Sequence, residues 1–381
     1  MNDELIKETQ KLLTFESYSG KEKEISDYVE VLMKRLGFRD VFRDEYGSIF
    51  GFIGPRKNKT AILFDSHTDV MPVRGNWIYP PFGGQISEGK LYGRGSTDMK
   101  GSLCSSIFAA ADAQKNHKLK KQYVVSASVL EEEVEGIALG KVIDKVNPEN
   151  VVICEPSKLQ IKLGHKGRIE CLLYVNGKTF HSAFPDKGDN TIHLAAKAIT
   201  ALESIKFTNS HEMGKGVLTP TGLVTNSNTS MAPSETAIRF DRRTVPGDTD
   251  ELVKKEIMDI VNKIDPKAFS FKIEKSTTIT YTGEKIICEK TFKPWTLDKE
   301  HKLTKSLTEA VKKNDIQIDM SYWGFCTNGV ESMGNRKINT IGFGPGNEEL
   351  AHTTNEYVEL EHLNKAYKVY KDLILIEDDI L

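Results

Sequence analysis

Two histidines and several acidic side chains have the types and the placement that metal-assisted hydrolysis requires. They follow apolar runs or stand just before a helix, and they are His67, Asp69, Asp98, Glu131, Glu132, Glu155 and His352. Imidazole and carboxylate ligands suit zinc and its first-row neighbours, whereas a closed structural zinc site would contain thiolates. Five ligands drawn from this set exceed the coordination of one tetrahedral zinc but suit two metal ions that share a carboxylate. Two neighbouring metals can activate one water and polarise a carbonyl.

Each of these residues also has a simpler explanation when it is taken alone. Asp98 could cap a helix, and the run Glu131–Glu133 could be an ordinary acidic helix N-terminus. Glu155, which precedes a proline, could be a loop acid. These explanations do not account for several acids and histidines at the ends of separate strands, so the metal site is the favoured interpretation.

The elements that must position these side chains alternate between strand and helix. Apolar runs at 61–64, 123–130 and 151–154 predict strands buried on both faces, and a helix is predicted over 100–114. The last third repeats the pattern with a helix over 300–313, a strand over 338–343 and a long helix from 357. Such alternation predicts a mostly parallel sheet, which binds ligands beyond the carboxyl ends of its strands.

The middle third has a different order, β-α-β-β-α-β. Its strands are predicted over 168–175, 217–224, 235–243 and 269–274, and its helices over 188–205 and 248–264. This order is that of a split βαβ sandwich. The predicted fold class is therefore α/β, with a mostly parallel-sheet catalytic domain in residues 1–166 and 289–381. An α+β lid or dimerisation domain is inserted at 167–288.

Composition excludes several classes of protein. The chain has 381 residues, 39% of them hydrophobic, and a formal net charge of −2, which argues against a nucleic-acid partner. No apolar run reaches the ~20 residues that span a membrane, and the five cysteines form no C-x-x-C. G-x-S-x-G and Walker motifs are absent, which disfavours serine hydrolases and nucleotide binders. We expect a cytoplasmic enzyme with a small-molecule substrate and no membrane partner.

Five segments together resemble one family of enzymes. They are Ser66–Asp69, Gly93–Gly101, Glu131–Glu132, Cys154–Pro156, and Gly344–Gly346 with Ala351–Thr353. In this order they resemble the co-catalytic zinc peptidases and amidohydrolases that include acetylornithine deacetylase, succinyl-diaminopimelate desuccinylase, aminoacylase and carboxypeptidase G. The segments 323–330 and 341–346 are most similar to a branch linked to selenium metabolism.

The resemblance implies a role for each residue of the cluster. His67 and Glu155 would hold one divalent metal, Glu132 and His352 would hold the other, and Asp98 would bridge them. The metals would be zinc, with cobalt or manganese as alternatives. Asp69 would hydrogen-bond His67, and Glu131 would be the general base toward a metal-bridging water. A frame shifted by one residue, with Glu132 as base and Glu133 as ligand, remains open.

The same resemblance assigns two residues of the inserted domain. His181 would donate to the oxyanion, in many relatives across a homodimer interface, and Arg243 would bind a substrate carboxylate. A salt bridge within the strand is the alternative for Arg243. Relatives carry Asn where this chain has Ser230, and Asn228 is out of register with that position.

The sequence therefore predicts a metallopeptidase-like amidohydrolase that cleaves an N-acyl amino acid, as a deacetylase does, or a related small carboxylate. A dipeptidase of the same family is the first alternative. A non-catalytic protein that kept the fold is the second, but it would have lost the base or a ligand, and all of them are present.

Overall fold

The computed structural model describes residues 2–227 and 230–380, in which helices and strands alternate along most of the chain. The α-helices of these residues are α1 (Asp3–Leu13), α2 (Lys23–Arg35), α3 (Gly101–Asn116), α4 (Glu131–Val134), α5 (Ile137–Val146), α6 (Thr191–Leu202), α7 (Asp250–Val261), α8 (Lys302–Lys313) and α9 (Leu360–Asp379).

The strands of the same residues fall into five sheets. They are β1 (Asp40–Arg43), β2 (Ile49–Ile53), β3 (Thr60–His67), β4 (Gln85–Ser87), β5 (Lys90–Tyr92), β6 (Tyr123–Ser128), β7 (Pro148–Ile153), β8 (Ile161–His165), β9 (Gly167–Asn176), β10 (Ser210–His211), β11 (Gly214–Lys215), β12 (Val217–Thr225), β13 (Glu235–Thr244), β14 (Phe269–Ile273), β15 (Lys275–Ile279), β16 (Lys285–Glu289), β17 (Thr291–Phe292), β18 (Trp295–Thr296), β19 (Met320–Trp323), β20 (Asn339–Gly342) and β21 (Tyr357–Glu359).

The larger of two compact units is built on a nine-stranded sheet. Its order is β1-β2-β6-β3-β7-β20-β8-β18, with β19 paired to β8. The four central strands β6, β3, β7 and β20 are mutually parallel, and antiparallel pairs flank them. The mostly parallel sheet predicted from the sequence is thereby confirmed.

The sheet is buried on both faces, as the continuous apolar runs of its strands predict. Successive residues of β3 point to opposite sides. Ile62 and Phe64 join the cluster formed with α1, α2, α3, α8 and α9, while Leu63 joins a second cluster with α5. Both clusters fix the direction of β3, which ends at His67.

The smaller unit is the α+β sandwich expected from the middle third. Its antiparallel sheet has the order β12-β13-β9-β14, with β17 also paired to β9. Apolar residues of α6 and α7, including Ala195, Ala198 and Val253, pack with Leu173 and Ile238 of the sheet. This core explains why the alternating pattern of β9 is buried on one face only.

The division between the units differs from the predicted one at its second boundary. The smaller unit comprises Lys166–Ser276 and Ile287–Pro294, so that the segment Thr277–Ile286 belongs to the larger unit. The predicted insertion ran without interruption to residue 288. Hydrogen bonds explain the difference, because Tyr281 donates to the main-chain oxygen of Gly47 at 2.7 Å.

Among the helices of the described ranges, none combines the length and the apolar character that crossing a bilayer requires.

Candidate metal centre

The predicted metal ligands of the larger unit lie close together at the carboxyl ends of the parallel strands. His67 is the last residue of β3, Glu131 and Glu132 begin the short helix after β6, and Glu155 follows β7 by two residues. Leu130, with φ of 61°, supplies the left-handed turn between β6 and that helix. The strands therefore deliver a histidine and three carboxylates to one edge.

Asp98 lies between the two histidines and uses a different oxygen toward each. Its Oδ1 is 3.0 Å from Nε2 of His67, and its Oδ2 is 3.2 Å from Nε2 of His352. Glu155 lies 3.5 Å from the same nitrogen of His67, and Glu132 lies 3.0 Å from that of His352. The predicted ligands thus fall into two groups around the two histidines, with Asp98 common to both.

The Asp69 carboxylate makes contacts that the sequence did not reveal. The Nδ1 of His67 is 2.9 Å from the main-chain oxygen of Asp69 but 3.6 Å from its carboxylate. That carboxylate instead accepts hydrogen bonds from the amides of Glu131 and Glu132, both at 3.0 Å, and from the Ser19 hydroxyl at 2.8 Å. Asp69 therefore orients the Glu131–Glu132 turn with its side chain and His67 with its backbone.

Glu131 is buried within the cluster, and Glu133 lies outside it. The Oε2 atom of Glu131 is 3.9 Å from Nε2 of His67, and its Oε1 is buried without a hydrogen-bond partner. Glu133 is exposed and accepts a hydrogen bond from Thr278 at 2.7 Å. This arrangement favours the frame with Glu131 as base and Glu132 as ligand.

The electrostatics of the cluster call for positive charge. Burial raises the pKa of Glu131, Glu132 and Glu155, and neighbouring carboxylates raise all three further. Burial opposes ionisation of Asp98 as well, but hydrogen bonds from His352 and His67 hold its pKa well below the usual range. Four acids that share one buried site require cations to remain ionised together.

The donor set fits divalent cations, and two groups of candidate ligands share His67. His67, Asp98 and Glu132 place one ligand atom each within 4.8 Å of one another, and so do His67, Glu131 and Glu155. The Oε1 atom of Glu132 is buried without a hydrogen-bond partner, as is that of Glu131. Imidazole nitrogen and carboxylate oxygen suit zinc, cobalt and manganese.

A buried ion pair beside the cluster was missed by the sequence. Arg94 and Glu356 lie 2.5 Å apart, and Glu356 accepts hydrogen bonds from the amides of Thr97 and Asp98. Burial raises the pKa of Glu356 to about 7, while Arg94 opposes that rise. The sequence contained one indication of this pair, which is that Arg94 is close along the chain to Asp98 and Glu356 is close to His352.

The two functional residues predicted in the smaller unit lie on different elements. His181 is exposed, pairs with Met231 in an isolated bridge, and accepts from the amide of Ala183 at 3.1 Å. Arg243 forms a bidentate pair with Asp241 on β13, at 2.8 and 3.0 Å, which is the alternative that the sequence left open.

The neighbouring Ser230 contributes its main-chain oxygen, which accepts from the amide of Ser182 at 3.1 Å. Asn228 lies outside the described residues, so the predicted register of that amide side chain is not described.

Metal-dependent hydrolases have this architecture, in which a mostly parallel sheet carries the cluster at its edge and an α+β domain is inserted. The sequence model of the family described as "Peptidase family M20/M25/M40" matches residues 63–376 of this protein. The chain belongs to this family. It is a hydrolase that acts on amide bonds.

Two relatives are similar to this protein along nearly the whole chain. "Uncharacterized protein YgeY" of Escherichia coli is 29% identical over 373 residues, covering 94% of this chain and 91% of the relative. A probable succinyl-diaminopimelate desuccinylase of Staphylococcus aureus is 24% identical over 400 residues, covering 95% and 94%.

Among solved structures, the Bacillus subtilis YXEP protein is a dinuclear metal-binding peptidase of the M20 family. It superimposes with a TM-score of 0.73 at 13% identity, covering 99% of this chain and 98% of that one. At this identity the likeness concerns the fold.

Proposed function

We propose that this protein hydrolyses the amide bond of an N-acyl amino acid or a related small carboxylate, using two divalent cations. The observation that carries the proposal is the division of the ligands around Asp98, whose two oxygens face two different histidines. A protein that had kept the fold without the activity would not need this full set, nor a buried Glu131 beside it. The desuccinylase relative supports an acyl substrate.

The cations, when bound, would polarise the amide carbonyl and increase the acidity of a water molecule; His67, Asp98 and Glu155 would hold one of them, and Asp98, Glu132 and His352 the other. Glu131 takes the proton of the attacking water as its oxygen adds to the carbonyl carbon. The same carboxyl then gives that proton to the amide nitrogen as the C–N bond breaks. One acid and one amine leave, and Glu131 returns to its starting charge.

Residues of this chain also determine whether Glu131 is ready for that transfer. Asp69 holds the main-chain amide of Glu131, so the carboxyl starts from a fixed backbone. The buried environment keeps bulk water away from Glu131, which is only 6% exposed. A preorganised base needs less free energy to reach its reactive orientation than a mobile base does.

A substrate panel tests the proposal directly. Apo-protein is loaded with zinc, cobalt or manganese, and the release of free amine is measured for N-acetyl and N-succinyl amino acids and for dipeptides. We expect hydrolysis of N-acyl amino acids that stops on chelation and returns with metal. Faster cleavage of dipeptides than of every N-acyl amino acid would identify the protein as a dipeptidase instead.

Matched variants separate this activity from contamination. Glu131→Gln must abolish it, whereas Glu133→Gln, an exposed neighbour on the same helix, must retain it.

We also propose zinc as the preferred metal and the cytoplasm as the location. Metal analysis of protein purified without added metal and fractionation of cells test these two points.

A further inference from the structure

Arg94 and Glu356 contact the backbone of two ligands of the proposed site, although neither is a ligand. Both residues are buried, with 3% and 0% of their side chains exposed. Through Oε1, Glu356 accepts the amide of Asp98 at 3.0 Å. Through Nη2, Arg94 donates to the main-chain oxygen of His352 at 3.2 Å. The planar guanidinium therefore joins Glu356 to His352 with two separate N–H groups.

The two histidines differ in how firmly the rest of the protein holds them. The side chain of His67 is 1% exposed and belongs to the end of β3. The side chain of His352 is 48% exposed, and its backbone has a φ of 64°. This left-handed conformation is uncommon for a residue other than glycine and persists where neighbouring groups hold it.

Arg94 is such a neighbouring group. Its hydrogen bond ends on the carbonyl of His352 itself, so it fixes the peptide from which the imidazole projects. Within the described part of the chain, the guanidinium of Arg94 donates hydrogen bonds to Glu356 and His352 and none to His67 or Glu155, which lie at the ends of different strands. A substitution of Arg94 should therefore affect the position of His352 more than the positions of His67 and Glu155.

We propose that Arg94 is a positioning residue that sets the affinity of the His352–Glu132 cation position and leaves the His67–Glu155 position nearly unchanged. This inference rests on the two-cation site of the proposed function. Glu356 has a broader effect because it also holds the amide of Asp98, which is common to both positions. The structure thus assigns different consequences to the two members of one ion pair.

The test is a cobalt titration of apo-protein, followed by calorimetry and by the visible absorption of the bound ion. In the parent protein we expect two ions per chain. Arg94→Lys keeps the charge that faces Glu356 but loses the second N–H of the fork. We expect it to weaken one binding step by about 10–100-fold, as removal of a partner behind a ligand commonly does. The other step should change less than about 3-fold, within the usual scatter of distant effects.

Two further variants make the result specific. Glu356→Asp retains the charge but loses reach, and we expect it to weaken both steps. Asp248→Asn breaks the buried pair of Arg242 and Asp248 in the smaller unit, where the atoms are 3.1 Å apart and both side chains are 0% exposed. It should lower thermal stability and leave both cobalt steps as in the parent. His352→Asn identifies which step belongs to His352.

The outcomes separate this inference from the proposed function. Fewer than two cobalt ions on the parent protein would overturn both. Two ions on the parent with unchanged steps in Arg94→Lys, or equal weakening of both steps in that variant, would overturn only the role of Arg94. If Arg94→Lys does not fold, unchanged steps in Glu356→Asp overturn the inference on their own.

Discussion

At the scale of single residues, two carboxylates control three consecutive main-chain amides beside the metal centre. Glu22 accepts the amide of Leu130 at 3.1 Å, and Asp69 accepts those of Glu131 and Glu132. A turn held in this way fixes which glutamate faces His67 and which faces His352. The separate roles that we propose for these two adjacent, chemically identical side chains therefore depend on backbone hydrogen bonds.

The role of Glu131 is tested by Glu131→Gln. Glutamine keeps the size of the side chain but accepts no proton, so we expect both cations to remain bound while kcat falls by about 100–10,000-fold. Metal content and steady-state rates measured on the same sample check this. Glu133→Gln is the control, and loss of metal in that variant with full activity in Glu131→Gln would move the frame by one residue.

The role of Glu132 predicts a different phenotype. Its Oε2 atom lies 3.0 Å from His352, so Glu132→Gln should weaken the binding of one cation and lower activity at limiting metal. Because the base remains in place, excess metal should restore part of the rate. A titration of activity against zinc concentration measures this, and a loss of rate that no metal concentration relieves would contradict the assignment.

At the scale of elements, the helix α2 begins at a residue with a second task. Glu22 is the residue before α2, its side chain makes no capping hydrogen bond, and it is fully buried beside the turn after β6. Burial, and then the charge of Asp69, raise its pKa from 4.5 to about 8. The start of one helix is thereby coupled to the end of one strand through a single acid.

Glu22 makes stability depend on pH in a defined direction. The folded protein keeps this proton up to about pH 8, whereas the unfolded chain releases it near 4.5, so unfolding becomes easier as the pH rises through this window. Glu22→Gln keeps an acceptor for Leu130 and has no such proton. We expect it to gain stability relative to the parent between pH 5 and pH 8, in urea denaturation.

An exposed residue of the same helix provides the control for that comparison. Glu24→Gln should follow the parent protein at every pH, because Glu24 lies on the exposed face of α2. Parallel curves for Glu22→Gln and the parent would show that Glu22 does not carry the pH dependence.

The elements also show what the sequence could predict. Continuous apolar runs such as 61–64 identify buried parallel strands, and the polar residue after each run marks the edge that binds ligands. Arg94 and Glu356 could not be paired in this way, because 262 positions separate them and only the fold brings them together. The contact of His67 with the main-chain oxygen of Asp69 could not be predicted either. A sequence shows which side chains are neighbours along the chain, but not whether the main chain or the side chain of a residue makes a given hydrogen bond.

At the scale of the whole molecule, we propose a homodimer formed through the smaller unit. Strand β12 is an edge of that unit's sheet, and it exposes Val217, Leu223 and Val224. An apolar edge strand can pair with the same strand of a second copy.

Val224→Lys should therefore give a monomer in light scattering. Val31→Lys, on an exposed position of α2, should stay dimeric if the edge and not general surface charge is responsible.

Mixed dimers test whether His181 acts on the partner. Chains with Glu131→Ala and chains with His181→Ala should each be inactive. After the two are mixed and allowed to exchange, half of the dimers contain one intact site of two, so we expect about a quarter of the parent activity. Heterodimers that form without any regained activity would place His181 in its own chain's site or outside catalysis.

The position of α9 along the chain has a consequence for how the protein is made. Residues of α9 such as Val369 and Leu373 share a core with Leu103 and Ile107 of α3, and about 240 residues separate the end of α3 from the start of α9. At roughly 5–20 residues per second, a ribosome adds that length in about 10–50 s. During this interval the part of the α3 surface that packs against α9 lacks its partner. We therefore expect mutations that weaken α9 to reduce yield in the cell before they reduce the activity of the purified enzyme.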